Sequence, residues 1–165
     1  MEIVYIETSV VSLLVAQPSR NLVMAARQQA TRDWWNLRRD FFHCVTSDEA
    51  RTEAARGDPD QARLRLAALA RLPSLAVTAE AEHLAAEFLN TGALPAAARP
   101  DAVHLAVAAY ARAHYLLTWN CRHLANAQIL RQLEREACRR GWDLPTVCTP
   151  LELMGELPYE TESDP

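Results

Sequence analysis

Three residues whose side-chain oxygens could bind a metal ion lie next to segments that are predicted to be buried strands or helices. Glu7 follows an apolar run at residues 3–6, and Asn120 follows another at residues 115–117. Asp101 opens the helical segment that leads into the second run. Carboxylates about 4 Å apart repel by roughly 4 kcal/mol at an effective dielectric of about 20, so crowded acids are favourable chiefly where a cation neutralises them. Magnesium and manganese prefer such oxygen ligands.

Sheet topology is the reason to expect these oxygens together. In an open α/β sheet, ligands bind outside the carboxyl ends of the strands, where the strand order reverses. This rule selects Glu7 after the first predicted strand and Asn120 after the fourth. The helix from Asp101 feeds the fourth strand and returns Asn120 towards Asp101. We therefore expect all three side chains at one edge of the sheet.

Ordinary structural interpretations exist for the same residues. Asp101 alone is an acid in the first turn of a helix, where the macrodipole favours it, and Glu7 alone is a solvated residue at a strand end. His104 is interpreted as a packed histidine, with a role in the site as the alternative. Trp119 is interpreted as a core residue, with stacking of a base as the alternative.

The cysteines are Cys44, Cys121, Cys138 and Cys148. No two of them form a CxxC pair, which predicts reduced thiols that mostly pack in the core. A zinc site could use the histidines and cysteines of residues 43–44 and 121–123, because imidazole and thiolate bind zinc. The spacing fits none of the usual structural zinc motifs, so we do not favour that site.

The elements that position these residues alternate along the chain. Strands are predicted at residues 3–6, 41–46, 75–77, 115–117 and 146–148. Helices are predicted at residues 10–15, 19–40, 47–56, 61–71, 78–90, 101–113 and 126–140, with a loop at 93–100 and a last helical turn at 150–154. Ser19 and Thr78 are predicted N-caps. This alternation predicts an α/β fold, with a short parallel sheet covered by helices on both faces in three α/β/α layers.

Composition bounds the class of protein. The chain has 165 residues, of which 50% are hydrophobic, which suits one domain, predicted over residues 1–154, with an acidic, mobile tail at 155–165. No apolar run approaches the roughly 20 residues of a membrane span. The N-terminus has no basic segment ahead of an apolar one, so we expect no secretory signal and a cytoplasmic location.

Charge bears on possible nucleic-acid binding. The formal net charge is −4, which argues against loose binding of nucleic acid over the whole surface. Every basic residue except histidine is arginine, and a group of them lies largely off the apolar stripe of residues 19–40. These are Arg20, Arg27, Arg32, Arg38 and Arg39. We interpret them as a solvated helix face, with an RNA-facing rim as the alternative.

Several segments keep an order and spacing that is more specific than any one of them. They are ETS at residues 7–9, PDAVHLA at 100–106, and YLLTWN at 115–120 followed by HLAN at 123–126. Together they resemble the PIN-domain nucleases, and most closely the VapC-type toxins of bacterial toxin–antitoxin pairs. The likeness spans residues 3 to about 153 and implies a PIN-like fold.

The resemblance implies a set of site residues. The family pattern has an acid after strand one, a glutamate on an early helix, an aspartate opening a later helix, and an acid after strand four. Carried over, these fall on Glu7, Glu53, Asp101 and Asn120. Glu53 is preferred because residues 47–58 resemble the family's stretch around the helical glutamate, and Glu49 on the same face is the alternative.

Two positions depart from the family pattern. Glu7 stands where aspartate is commonest, which moves its oxygens by about one methylene. Asn120 offers an oxygen without a charge, so the site holds three formal negative charges where the fuller version holds four. This difference predicts one firmly bound metal, with any second arriving with the substrate phosphate.

The resemblance implies an endoribonuclease that depends on Mg²⁺ or Mn²⁺ and acts as the toxin of a toxin–antitoxin pair. Glu7 and Asp101 would hold the metal, Glu53 would complete the site or position the attacking water, and Asn120 would ligate directly or through water. The implied partners are RNA, a cognate antitoxin and a second copy, which could pair through residues 22–34. The alternatives are a catalytically weak PIN-like module that binds RNA or an antitoxin, and a hydrolase of small phosphate compounds.

Overall fold

The first strand shows how the sequence builds the sheet. In the computed structural model, which describes residues 1–155, Ile3–Ile6 form strand β1, and its last three residues are fully buried. An apolar run without polar alternation suits a strand that is covered on both faces. The remaining strands are β2 (His43–Ser47), β3 (Ser74–Leu75), β4 (Tyr115–Leu117) and β5 (Thr146–Cys148).

All neighbouring strands run parallel, in the order β3-β2-β1-β4-β5. Tyr5 of β1 lies in register with Val45 of β2 on one side and with Leu116 of β4 on the other. The chain builds β1, β2 and β3 in one direction and then returns to place β4 beside β1. The strand order therefore reverses between β1 and β4, which is where Glu7 and residues 118–120 emerge.

Seven α-helices connect these strands within residues 1–155. They are α1 (Thr8–Val15), α2 (Leu22–Leu37), α3 (Asp48–Ala54), α4 (Pro59–Leu69), α5 (Ala79–Asn90), α6 (Arg99–Tyr110) and α7 (Ala127–Arg139). Short 3₁₀ turns occupy Arg39–Phe41 and Ala96–Ala98.

Alternate side chains of β1 enter two different apolar clusters. Val4 and Ile6 pack into a cluster that includes residues of α1, α2 and α4, such as Trp34 and Leu69. Tyr5 packs into a cluster formed with α5, α6 and α7. The sheet thus lies between two helical layers, and the predicted three-layer α/β/α fold with a parallel sheet is confirmed.

Several helix boundaries differ from the sequence prediction. α4 and α6 begin at Pro59 and Arg99, each two residues before the predicted start, because proline in the first turn lacks only an N–H that would be unpaired there. α6 ends at Tyr110 rather than at residue 113, and Arg112 then adopts a left-handed φ of 51°. Asn21 rather than Ser19 caps α2, accepting the Met24 N–H at 3.0 Å.

Two strands are also displaced from their predicted bounds. β2 begins at His43 rather than at residue 41, because the 3₁₀ turn occupies the chain up to Phe41. β3 consists of Ser74–Leu75 and does not extend to residue 77. From residue 156 onward, the predicted tail lies outside the described residues. Within residues 1–155, no helix has both the length and the apolar character that crossing a bilayer requires.

Candidate metal centre

Glu7 stands at the junction between β1 and α1. Its backbone N–H donates to the Leu117 carbonyl at 3.1 Å, and its carboxylate caps α1 by accepting the Ser9 N–H at 3.1 Å. The second carboxylate oxygen accepts hydrogen bonds from the hydroxyls of Ser9 and Thr118, the latter at 2.7 Å. Glu7 is only 5% exposed, so three donors fix the orientation of a buried carboxylate.

Glu53 projects from α3 towards the same edge. Its Oε2 accepts a hydrogen bond from the Thr8 hydroxyl at 2.7 Å and another from Nε2 of His104 at 2.8 Å. Burial by itself raises the pKa of Glu53. The hydrogen bonds from His104 and Thr8, with the charges of His104 and Arg56, outweigh burial and lower the pKa below its usual value. Glu53 is therefore held as a carboxylate.

Glu49 lies one turn earlier on α3 and is half-buried. Burial is the main cause of the raised pKa of Tyr5, and the charges of Glu7, Glu53 and Glu49 add to it. The carboxylate that contacts both Thr8 and His104 is that of Glu53. Of the two glutamates considered from the sequence, the structure brings Glu53 into the cluster.

His104 is fully buried on α6, and both of its ring nitrogens are engaged. Nε2 bonds to Glu53, while Nδ1 lies 2.7 Å from the Tyr5 hydroxyl, which in turn bonds to the Ser47 hydroxyl. Burial opposes the charged ring, but the bond to Glu53 and the nearby carboxylates raise the pKa of His104. The expectation of a packed histidine describes its burial but misses its contact with Glu53.

A signal for His104 was present in the sequence. Residues 101 and 104 are three apart on one helix and therefore share a face. If Asp101 faces the sheet edge, His104 must lie near that edge too.

Glu7, Glu53 and His104 form the one group in residues 1–155 in which at least three potential ligand atoms of His, Cys, Asp or Glu converge. These atoms all lie within 4.8 Å of one another. Metal–nitrogen and metal–oxygen bonds of about 2.0–2.2 Å allow donor separations up to roughly 4.4 Å, so small side-chain movements suffice to bridge the group. The triad could hold a metal ion, and its two carboxylates and one imidazole suit a divalent transition metal.

Asp101 lies in the first turn of α6, beside this triad. Its Oδ1 accepts a hydrogen bond from the Asn120 amide at 2.7 Å, and its Oδ2 accepts one from Nδ1 of His123 at 2.7 Å. The Asn120 backbone N–H donates to the Thr118 hydroxyl at 2.9 Å, and that hydroxyl donates to Glu7. A continuous chain of hydrogen bonds therefore links Asp101 to Glu7 at the same edge.

Both the nitrogen and the oxygen of the Asn120 side-chain amide form hydrogen bonds. Its nitrogen donates to Asp101, and its oxygen accepts the His123 N–H at 3.1 Å. A flipped amide would set its oxygen against the Asp101 carboxylate, so the two partners fix this orientation. The geometry favours Asn120 as a residue that positions Asp101. Its direct ligation of a metal stays a prediction.

His123 is a residue of this cluster for which the sequence predicted no contact with Asp101. It was considered only in the disfavoured zinc site of residues 43–44 and 121–123 and in the HLAN segment at residues 123–126. Nothing in that segment indicates that its ring turns back to Asp101, since this depends on the fold of residues 118–123 after β4. The spacing of three residues from Asn120 was the only available signal.

Trp119 is a core residue in the structure, at 8% exposure. Its indole N–H donates to the Thr31 hydroxyl at 2.8 Å, and its backbone N–H donates to the Ser9 hydroxyl at 2.8 Å. The Arg27 guanidinium lies 5.3 Å from the ring centroid. These contacts leave little ring surface for the alternative of base stacking.

The cysteines divide evenly between core and surface. Cys44 and Cys148 are buried, whereas Cys121 and Cys138 are exposed, so packing in the core describes only half of them. Burial is the main cause that raises the pKa of both Cys44 and Cys148 to about 12.

The chain matches no known family model and no curated protein. The resemblance seen in residues 7–9, 100–106 and 115–126 therefore stays a prediction.

Proposed function

We propose that this protein is a metal-dependent endoribonuclease. The observation that carries the proposal is the convergence of Glu7, Glu53 and His104 at the reversal point of a parallel sheet, with Asp101 hydrogen-bonded alongside. This is the place where α/β sheets bind ligands. Three carboxylates gathered there would repel a phosphodiester unless a cation lay between them.

The donor set fits a divalent cation. Glu7 and Glu53 offer carboxylate oxygens, His104 offers Nε2, and Asp101 completes the acidic edge. We propose Mg²⁺ or Mn²⁺ as the ion. When bound, such an ion would lower the pKa of a water molecule and neutralise charge on the phosphate under attack.

The residues of the chain provide the orientation that this chemistry needs. Ser9 and Thr118 hold Glu7, while Thr8 and His104 hold Glu53. Asn120 and His123 hold Asp101 by one hydrogen bond to each of its oxygens. Every carboxylate of the site is thus fixed by neighbouring donors, which reduces the reorganisation required on binding.

A second candidate function is a module that binds RNA or an antitoxin without efficient turnover. The same hydrogen bonds favour it, because Glu53 and Asp101 already have partners and Asn120 supplies no charge. A metal must compete with those partners. Measured turnover is what separates the two functions.

The test is cleavage of total RNA by the purified protein with Mn²⁺ or Mg²⁺. We expect cleavage that EDTA abolishes, and a loss of at least about a hundredfold in Glu7→Gln and Asp101→Asn, comparable to removing a key electrostatic group. Glu134→Gln, an exposed acid on α7, is the matched control and should cleave as wild type.

Two results would overturn the endoribonuclease proposal. Wild type that binds RNA but does not cut it with either metal would support the binding module. Turnover of a generic phosphate monoester without RNA cleavage would instead support a hydrolase of small phosphate compounds. Thermal melting of each variant identifies loss of fold.

We also propose that the enzyme is the toxin of a toxin–antitoxin pair and is cytoplasmic. Growth arrest on expression, relieved by Asp101→Asn and by co-expression of a small gene encoded beside it, is the expected result. Growth unaffected by the active enzyme would overturn this role.

A homodimer is proposed through the start of α2. Leu22 and Val23 are 86% and 65% exposed there, whereas Ala30 and Trp34 further along the helix are buried. Light scattering of wild type and Leu22→Asp tests the pairing. A dimer that withstands the substitution would place the interface elsewhere.

A further inference from the structure

Arg27 is a half-buried arginine on α2 whose guanidinium lies over the Trp119 ring. Its Cζ lies 5.3 Å from the centroid of the Trp119 ring, within the range of a cation–π contact. Within residues 1–155, the guanidinium has no ion pair and no hydrogen bond. By contrast, Arg32 on the same helix donates to the Ala16 carbonyl at 3.0 Å, and Arg39 pairs with Asp40 at 3.0 Å.

Trp119 connects this arginine to the metal centre. The Trp119 backbone N–H donates to the Ser9 hydroxyl, and that hydroxyl donates to Glu7. The Arg27 guanidinium is therefore connected to the Glu7 carboxylate through Trp119 and the Ser9 hydroxyl. Arg27 thus contacts the side chain of the residue that directly precedes Asn120 in the chain.

We propose that Arg27 binds a backbone phosphate of the RNA strand, next to the phosphodiester that is cut. This inference rests on the proposed function. A guanidinium presents a planar fork of donors that matches phosphate oxygens. Contact with Trp119 restrains the long side chain in advance, so binding loses less conformational freedom than it would with a mobile arginine.

Other arginines near the site lack this restraint. Arg56 is exposed after α3, although its charge helps to lower the pKa of Glu53, after the larger effects of burial, His104 and Thr8. Arg122 is exposed beside His123. Both can add to the local positive potential. Arg27 is the one of the three that is held against an aromatic ring, which is why we assign it the defined contact.

The experiment measures binding of a short, fluorescein-labelled, single-stranded RNA to the full chain over a range of salt concentrations. Ca²⁺ replaces Mn²⁺ in the buffer, because an oxygen-preferring cation neutralises the gathered carboxylates. We expect Arg27→Gln to weaken binding roughly tenfold, as for the loss of one hydrogen bond to a charged group. The slope of log K against log salt should fall by about 0.7, the value for one phosphate contact on a single strand. Arg27→Lys should keep the slope and lose only part of the affinity.

Arg131→Gln is the matched control, because Arg131 is exposed on α7, in the helical layer on the other side of the sheet. It should bind RNA as wild type, and thermal melting confirms that each variant is folded. Equal affinity and slope for wild type and Arg27→Gln would overturn the proposal. A loss for Arg131→Gln as large as that for Arg27→Gln would also overturn it.

Combined results from the cleavage and binding assays distinguish failure of the Arg27 proposal from failure of the proposed nuclease function. If wild type cleaves RNA and Arg27→Gln does not change RNA binding, the proposal for Arg27 fails and the proposed nuclease function stands. If RNA binding depends on Arg27 but wild type does not cleave RNA, the proposed nuclease function fails and the phosphate contact of Arg27 stands. If Arg27→Gln weakens binding of a polyglutamate peptide but not of RNA, the arginine serves an acidic protein partner, and the RNA proposal fails.

Discussion

At the residue scale, the site consists of acids that neighbouring donors have already oriented. Glu7, Glu53 and Asp101 come from three separate elements, and each accepts hydrogen bonds from at least two groups. Such bonds favour the ionised carboxylate and fix its direction. A metal ion bound at this site would have to displace some of these hydrogen bonds.

Asn120→Asp tests the role of the Asn120 amide. The change replaces a donor to Asp101 by a second carboxylate, so the pair should repel in the absence of metal. We expect the free energy of unfolding in EDTA to fall by about 1–3 kcal/mol, the cost of removing the donor from a partly buried hydrogen bond and leaving two carboxylates in contact. Mn²⁺ should restore more stability to Asn120→Asp than it adds to wild type.

Thermal melts with EDTA and with Mn²⁺ make this measurement. Identical melting of wild type and Asn120→Asp in EDTA would show that the amide does not hold Asp101. Equal stabilisation of both proteins by Mn²⁺ would show that the added charge lies outside the site.

His104 should influence which metal the site prefers. An imidazole ligand favours manganese over magnesium, whose usual ligands are oxygen atoms. We expect wild type to bind Mn²⁺ more tightly than Mg²⁺ and His104→Gln to lose roughly 10- to 100-fold in Mn²⁺ affinity, as is typical for changes around a metal site. His43→Gln, at the exposed start of β2, is the control for calorimetric titration. An unchanged Mn²⁺-to-Mg²⁺ ratio in His104→Gln would contradict a ligand role.

Sequence reasoning identified the residues whose positions follow from strand ends. Glu7 and Asn120 emerge at the reversal between β1 and β4, and this could be inferred from two apolar runs and the rule for parallel sheets. The contact between His104 and Glu53 could not be inferred in that way. It depends on how α3 and α6 lie against each other, which neither segment specifies alone.

At the element scale, α6 is the helix that carries both Asp101 and His104. Residues 102–109 are buried, and small side chains at Ala102 and Ala106 allow it to pack closely against its neighbours. We expect Ala106→Leu to lower the free energy of unfolding by about 1–3 kcal/mol, because a close-packed core has no space for the added methylenes. Ala127→Leu, at the exposed start of α7, should change it little.

Urea denaturation of both variants checks this expectation. Ala106→Leu with the stability of wild type would mean that space remains beside α6. The positions of Asp101 and His104 would then be less firmly set than the burial of this helix indicates.

The sequence predicts whether a segment is a helix or a strand more accurately than it predicts the residue at which that helix or strand begins. The sequence predicts that Pro59 and Pro100 precede helices, whereas each lies in the first turn of its helix, where the missing N–H carries no cost. The predicted bounds of β1, β4 and β5 match the observed ones. β1 and β4 are largely buried, as continuous apolar runs in a parallel sheet should be, whereas β5 is an edge strand in which only Cys148 is buried. β3 was harder to bound, since this edge strand has only two residues and little burial to mark it.

At the scale of the whole molecule, burial separates the thiols into two classes. Cys44 and Cys148 have pKa values raised to about 12, so at pH 8 only about one in ten thousand would be thiolate. We expect two rapidly reacting thiols per native chain, at Cys121 and Cys138, and four after denaturation. Reactivity of the buried pair should rise as the pH approaches their pKa values.

Labelling with a disulfide reagent in native and denaturing buffer counts these thiols. Cys121→Ser and Cys138→Ser should each remove one rapidly reacting group, which assigns them. Three or four fast thiols in the native protein would contradict the packing around β2 and β5.

The most direct measurement of the central claim is the anomalous scattering of a crystal soaked in Mn²⁺. The proposed site predicts a single strong peak within bonding distance of carboxylate oxygens of Glu7 and Glu53, with His104 or Asp101 completing the coordination. A peak elsewhere on the surface would contradict the proposal. A crystal saturated with Mn²⁺ in which Glu7 still bonds only to Ser9 and Thr118 would also contradict it. The gathered acids would then have a purely structural role.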